Sequence, residues 1–106
     1  MAELIQIITT TDSDIEAFEI GKALIEARLA ACVNIQGPIK SIYRWDGKLD
    51  KTMEWQCIIK TDASLFSEVE KFILSKHSYE IPEIIAVPIL DANQSYQDWV
   101  EEELEG

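Results

Sequence analysis

Residues 39–62, IKSIYRWDGKLDKTMEWQCIIKTD, read as two strand-like halves around Asp46-Gly47. An Asp-Gly pair tolerates the positive φ that a two-residue hairpin turn demands, so the halves are expected to fold back as antiparallel partners. No other feature constrains the chain as strongly. A two-stranded ribbon is marginally stable alone. This one carries Ile42, Tyr43, Trp45, Trp55 and Ile58, more large apolar side chains than a solvated ribbon needs. The ribbon therefore belongs to a larger sheet, and self-association through it is the economical way to cover what stays bare.

The flanking segments supply that sheet and its helices. ELIQIITTT (3–11) is β-branched, apolar and too short for a helix, and predicts a mostly buried strand. TDSDIEAFEIGKALIEARLA (11–30) has helical spacing, with Ser13 and Glu16 placed as a capping box. Ile15, Phe18, Lys22 and Ile25 form one row on that helix, and Ile20, Leu24 and Ala27 an adjacent one. Gly21 costs the helix about 1 kcal/mol against alanine, which fits either close packing on a sheet or simple surface tolerance. ACVNIQ (31–36) is β-like, and Gly37-Pro38 interrupts it. TDASLFSEVEKFILSKH (61–77) returns to helical spacing, with Leu65, Phe66, Val69, Phe72 and Ile73 on one face and Asp62 as N-cap. EIIAVPILD (83–91) predicts a last strand whose Pro88 places it at an edge or a bulge. SYQDWVEEELE (95–105) predicts a short helix capped by Asn93 or Ser95. The order is the βαββαβ pattern of an α+β, ferredoxin-like domain over residues 1–106, with a long central hairpin and an extra C-terminal helix. Both crossover helices are expected on one sheet face, which leaves the other face bare.

The charge narrows the partners. Twenty acidic residues against nine basic ones give a net charge of −11, and without the last nine residues the balance is still 15 acids to nine bases. Lys and Arg are not clustered, so nucleic acid and anionic membranes are excluded as expected partners, and metal cations or basic ligands fit better. Cys32 and Cys57 do not make a disulfide framework. The start MAELIQIITT lacks the basic head and small-residue cleavage site of a signal peptide, and no apolar run approaches the ~20 residues that span a bilayer. A reducing cytoplasm is the expected location.

Six stretches in register resemble the CutA proteins, which are named for divalent-cation tolerance. They are RLAACVNI (28–35), SIYRWDGKL (41–49), Glu54, IIKT (58–61), HSYEIPEII (77–85) and YQDWV (96–100), and they run almost the full length. One departure is Ser78, where the family commonly has proline after the histidine. The resemblance implies a ferredoxin-like subunit in a homotrimer, with the long hairpins forming intersubunit sheet and an architecture similar to the trimeric PII signalling proteins. It implies no settled enzymatic activity.

The candidate site residues follow from both readings. His77, the single histidine, can ligate a metal or shuttle a proton. Equally, a histidine ending a helix bonds the free carbonyls there. The resemblance places the matching histidine in a polar pocket between subunits. Tyr79 and Glu83 follow it, with Pro82 holding Ile81 extended, and both are candidates to project toward His77 or a neighbour. Glu54 and Lys60 have the even spacing that shares a strand face, and Tyr43 and Trp45 share parity on the other arm. If the register aligns those faces, a carboxylate, an ammonium and two rings line one groove. That groove is either a small-ligand pocket or an ordinary cross-strand set. Tyr96 and Trp99 are expected on the inward side of the last helix, and in a trimer Trp99 closes a neighbour's groove.

For metal, Cys32, Cys57, Met53 and His77 are the soft donors that suit copper. Cys32 in LAACVNI also reads as a small core residue. The resemblance ties the Cys32 position to copper binding, and His77 is the second candidate ligand for copper or another divalent cation. No nucleophile–base–orienter set, Gly-rich phosphate loop or zinc spacing occurs, so the sequence supports neither catalysis nor an organic cofactor. The expected function is divalent-cation binding by a trimer with intersubunit clefts, in metal tolerance. The alternative is a PII-like signalling or scaffold trimer that holds a small metabolite through Lys60, Glu54 and His77.

Overall fold

The structure, a computed structural model, describes residues 3–105. In chain order it contains β1 (Leu4–Thr11), α1 (Asp14–Glu26), β2 (Cys32–Trp45), β3 (Lys48–Asp62), a 3-10 turn (Ala63–Leu65), α2 (Phe66–Lys76), β4 (Ile85–Pro88) and α3 (Gln94–Glu105). The four strands form one antiparallel sheet in the order β2-β3-β1-β4. This is the expected α+β, βαββαβ arrangement with a further helix, and Pro88 lies on the edge strand.

The hairpin turns on Asp46 (φ 52°) and Gly47 (φ 75°), the double positive φ of a type I′ turn, and Trp45 pairs with Lys48 across it. β2 does not stop at Gly37-Pro38 as the sequence suggests. The pairing shifts between Gln36 and Ile39, so a bulge absorbs the residue that cannot donate and the strand continues for 14 residues. Gly37 is required there because a Cβ would run into the Trp55 indole.

One core forms between the sheet and α1 and α2. Ile5, Ile7, Cys57 and Ile59 from the sheet meet Ala17, Ile20 and Leu24 of α1 and Val69 and Ile73 of α2. Of the two apolar rows expected on α1, the sheet takes the Ile20–Leu24 row, while Ile15 stays 73% exposed and Phe18 and Ile25 are exposed too. Gly21 resolves toward close packing: a Cβ would sit 3.0 Å from Val33 Cγ1. The opposite sheet face is not wholly bare, because α3 covers one end of it. Leu4, Ala31 and Val100 are buried there, with Tyr96 and Leu104 packed alongside.

The helix ends show where local signals were redirected. Ser13 Oγ accepts from the Glu16 N–H at 3.2 Å, but Ser13 N–H donates to Thr11 Oγ1 at 3.4 Å. The capping box is thus half made, and the Glu16 carboxylate is used elsewhere. After α1, Arg28 adopts φ 60°, with Arg28 N–H donating to Ile25 O and Leu29 N–H to Leu24 O, a Schellman ending. Its guanidinium donates to Glu103 O at 2.9 Å, satisfying a carbonyl near the acidic end of α3.

Asp62 accepts from the N–H groups of Ser64 (2.9 Å) and Glu3 (2.8 Å). Burial alone would raise its carboxyl, but hydrogen bonds from the Ser64 hydroxyl and N–H and from Glu3 outweigh it and hold the group below its usual range. Asp62→Ala is expected to cost about 1 kcal/mol at neutral pH. A depressed folded-state pKa stabilises above the unfolded value, so the difference between wild type and variant should vanish as pH falls below about 4 and through the folded value. Urea titrations of both proteins across falling pH measure this, and a gap that does not narrow as the medium is acidified contradicts the assignment.

Candidate functional site

The segment that follows α2 is held in place by His77. Its N–H donates to Ile73 O at 2.8 Å and its backbone leaves the helix, so it ends α2 as anticipated. The side chain, however, does not bond the carbonyls of its own helix. It is fully buried, with Nδ1 accepting from the Tyr79 N–H at 3.0 Å and Nε2 lying 2.7 Å from Thr10 O. Because Nδ1 is an acceptor, the proton sits on Nε2 and is donated to the Thr10 carbonyl. Both nitrogens are engaged, so metal ligation by His77 would have to release one of those backbone groups. Ser78 does not loosen this segment: its hydroxyl donates to Glu16 Oε2 at 3.1 Å, and the same oxygen lies 3.6 Å from His77 Nδ1.

Tyr79, oriented in this way with its ring centroid 4.8 Å from that of His77, donates its hydroxyl to Glu54 Oε2 at 2.7 Å. Glu54 comes from β3, opposite Ile39, and is only 6% exposed. Burial, then the Glu54 carboxylate, hold the Tyr79 phenol above its ordinary value. Burial, then the same Glu54 charge, hold the Glu83 carboxyl up as well. On the hairpin, Tyr43 and Trp45 stand opposite Asp50 and Lys48, so they share the face of Glu54, and the Tyr43 hydroxyl bonds Thr52 Oγ1 at 2.8 Å. Together Ile39, Tyr43, Trp45, Glu54, Tyr79 and Glu83 line an open cleft of about 730 Å³.

Other expected residues lie elsewhere. Lys60 shares the parity of Glu54, but six residues of strand put it roughly 20 Å away along β3, where it bonds the Asn34 side-chain carbonyl. The trio of Lys60, Glu54 and His77 is therefore not assembled within one chain, and His77 stands behind Tyr79 instead of lining the cleft. Cys32 pairs with Lys60, while Thr10, which His77 contacts, pairs with Gln56. The two soft-metal candidates are thus separated by roughly 13 Å along the sheet. Cys57 is buried, donates to Ala17 O, and has its thiol pushed up to about 11 by burial and then by Glu16. Trp99 is exposed against Tyr96, because Val100 takes the inward position on α3. Among the described residues no group of three or more His, Cys, Asp and Glu is placed to hold a metal ion. Glu16 and Thr10 had no signal as site residues, since the first looked like a helix cap and the second contributes only a carbonyl.

The family model described as "CutA1 divalent ion tolerance protein" matches residues 5–103. The chain belongs to the CutA1 family. Its Thermus thermophilus relative, "Divalent-cation tolerance protein CutA", is 41% identical over 96 residues, which is 91% of this chain and 93% of that one. The mouse "Protein CutA" is 45% identical over 84 residues, 79% of this chain but 48% of that longer protein. Among solved structures, the "Periplasmic divalent cation tolerance protein CutA" of Archaeoglobus fulgidus superposes with a TM-score of 0.93 at 40% identity, covering 95% of this chain and 98% of that one. CutA1 proteins are thus named for cation tolerance and not for a reaction.

Proposed function

We propose that this CutA1 family member binds divalent cations, copper among them, in metal tolerance, and that it acts in a reducing cytoplasm as a homotrimer. The observation that carries the reading is the Glu54–Glu83 pair, two carboxylates brought into one cleft where burial, and then the charge of Glu54, oppose ionisation of Glu83. A cation relieves that opposition. The donor set of a single chain is incomplete, which favours a site finished by a second copy. The hairpin favours the same assembly: Ile42 is 71% and Leu49 75% exposed, with Trp45 and Met53 exposed beside them, a ribbon short of a cover. Cys32, which is partly exposed and reduced, is the proposed soft donor for copper at a second position, with His77 as the positioning group behind Tyr79.

Copper titration by calorimetry tests the assignment on wild type, Cys32→Ala, His77→Ala and Glu83→Gln. Glu83→Gln should weaken binding at the cleft, and Cys32→Ala should remove a separate event. If stoichiometry and affinity are the same in all four proteins, the metal assignment at these residues fails. Sedimentation equilibrium should give three times the 12.1 kDa chain mass, and a well-folded monomer at micromolar concentration sinks the shared-cleft reading.

A further inference from the structure

The walls of the cleft and its charge point to a particular kind of cation. Four acids, Asp50, Glu54, Glu80 and Glu83, border it against one base, Arg44. Arg44 is turned back on its own hairpin, its guanidinium donating to Gly47 O at 3.4 Å. The site is therefore electronegative. A bare divalent ion of the hard type takes six or more oxygen ligands, yet much of this wall is Ile39 and the rings of Tyr43, Trp45 and Tyr79. Their only oxygens are the two phenol hydroxyls, which are already bonded to Thr52 and to Glu54. These side chains offer π faces, which attract a cation whose charge is spread over a nitrogen and its carbons, and apolar area for a hydrocarbon body. The volume, about 730 Å³, is many times that of an ion and lies within the range of small-molecule sites. Glu54 is also pre-aimed: Tyr79 fixes one of its oxygens, so the carboxylate meets a ligand in a set orientation.

We propose that the cleft binds an organic ammonium ion, a protonated amine on an apolar body, with its N–H groups donating to Glu54 and Glu83 and its body lying against Tyr43 and Trp45. The inference rests on the cleft being a cation site, as in the preceding reading, and changes the class of cation it is built for. Size and charge are both matched, whereas an inorganic ion uses only the charge.

The probe is benzylammonium, with neutral benzyl alcohol as its near-isostere, titrated into the full-length protein in its native oligomer. Tryptophan indole N–H resonances are followed, and Trp45 is assigned through Trp45→Phe. A saturable shift at Trp45 is expected, with benzylammonium bound about tenfold or more tightly than the alcohol, the ratio a charge-assisted hydrogen bond supplies. Glu83→Gln, at an exposed position that leaves folding intact, should bring the two probes close to parity. Equal binding of both probes, no saturation of benzylammonium, or indifference to Glu83→Gln overturns the proposal. The two readings separate in the copper titration. Saturation by benzylammonium without copper binding at Glu83 leaves this inference standing and removes the metal one. Copper binding at Glu83 with no benzylammonium binding does the reverse.

Discussion

Alanine at His77 is expected to lower the free energy of unfolding by about 3 kcal/mol or more. The ring is fully buried, and removing it orphans the Thr10 carbonyl and the Tyr79 N–H together. An unsatisfied buried group costs about 1–3 kcal/mol, and the void left by the imidazole adds to that. A histidine serving only as an exposed ligand would cost within about 0.5 kcal/mol when replaced. Urea unfolding at matched protein concentration, which holds any self-association constant, decides between the two. Hydrogen exchange adds a local readout. The Tyr79 amide should lose its protection in His77→Ala, and His77→Asn, which keeps one donor and one acceptor, should recover part of both effects. A loss under 1 kcal/mol with Tyr79 still protected would mean that the segment carrying Tyr79 and Glu83 is held by something else.

The second large effect lies in the core. Ile59 is 0% exposed on β3, at the centre of the cluster that joins α1 and α2 to the sheet. It pairs with Ile7 on β1 and Val33 on β2, so both neighbouring strands fix its position and leave little room for collapse around a truncated side chain. Ile59→Ala should therefore destabilise the protein by about 2–5 kcal/mol, and Ile59→Val by about 0.5–1.5 kcal/mol. Thermal and urea unfolding of the pair give the two numbers. Similar losses in both variants would contradict a tightly packed site. Because β3 also carries Glu54, the alanine variant should loosen the cleft while the valine variant should not.

Much of the site was within reach of the chain's periodicities. Strand parity put Tyr43 with Trp45 on one arm and Glu54 with Lys60 on the other, and the register through the type I′ turn brings Tyr43, Trp45 and Glu54 onto one face. The same parity rule put Lys60 on that face but said nothing about distance along it, so within one chain Lys60 lies roughly 20 Å from the Glu54 it was grouped with. Gly37-Pro38 looked like a strand end because proline cannot donate to a ladder. A bulge removes that requirement, and Trp55 across the ribbon fills the space that a side chain at Gly37 would need. Glu16 looked like half of a capping box. Its carboxylate instead serves Ser78, 62 residues later, which no local pattern encodes.

Read alone, the chain determined the order of its elements, the hairpin and the end of α2 at His77. Turn geometry, capping and side-chain alternation act over a few neighbouring residues, so these signals survive without a fold. Only the tertiary structure decided which row of α1 is buried, that α3 closes one end of the second sheet face, and that Tyr79 meets Glu54 beneath an aromatic wall. Those outcomes depend on contacts between residues distant in the chain, Tyr79 with Glu54 and Val100 with Leu4 and Ala31, whose partners are chosen by how whole elements pack and not by any pattern within one of them.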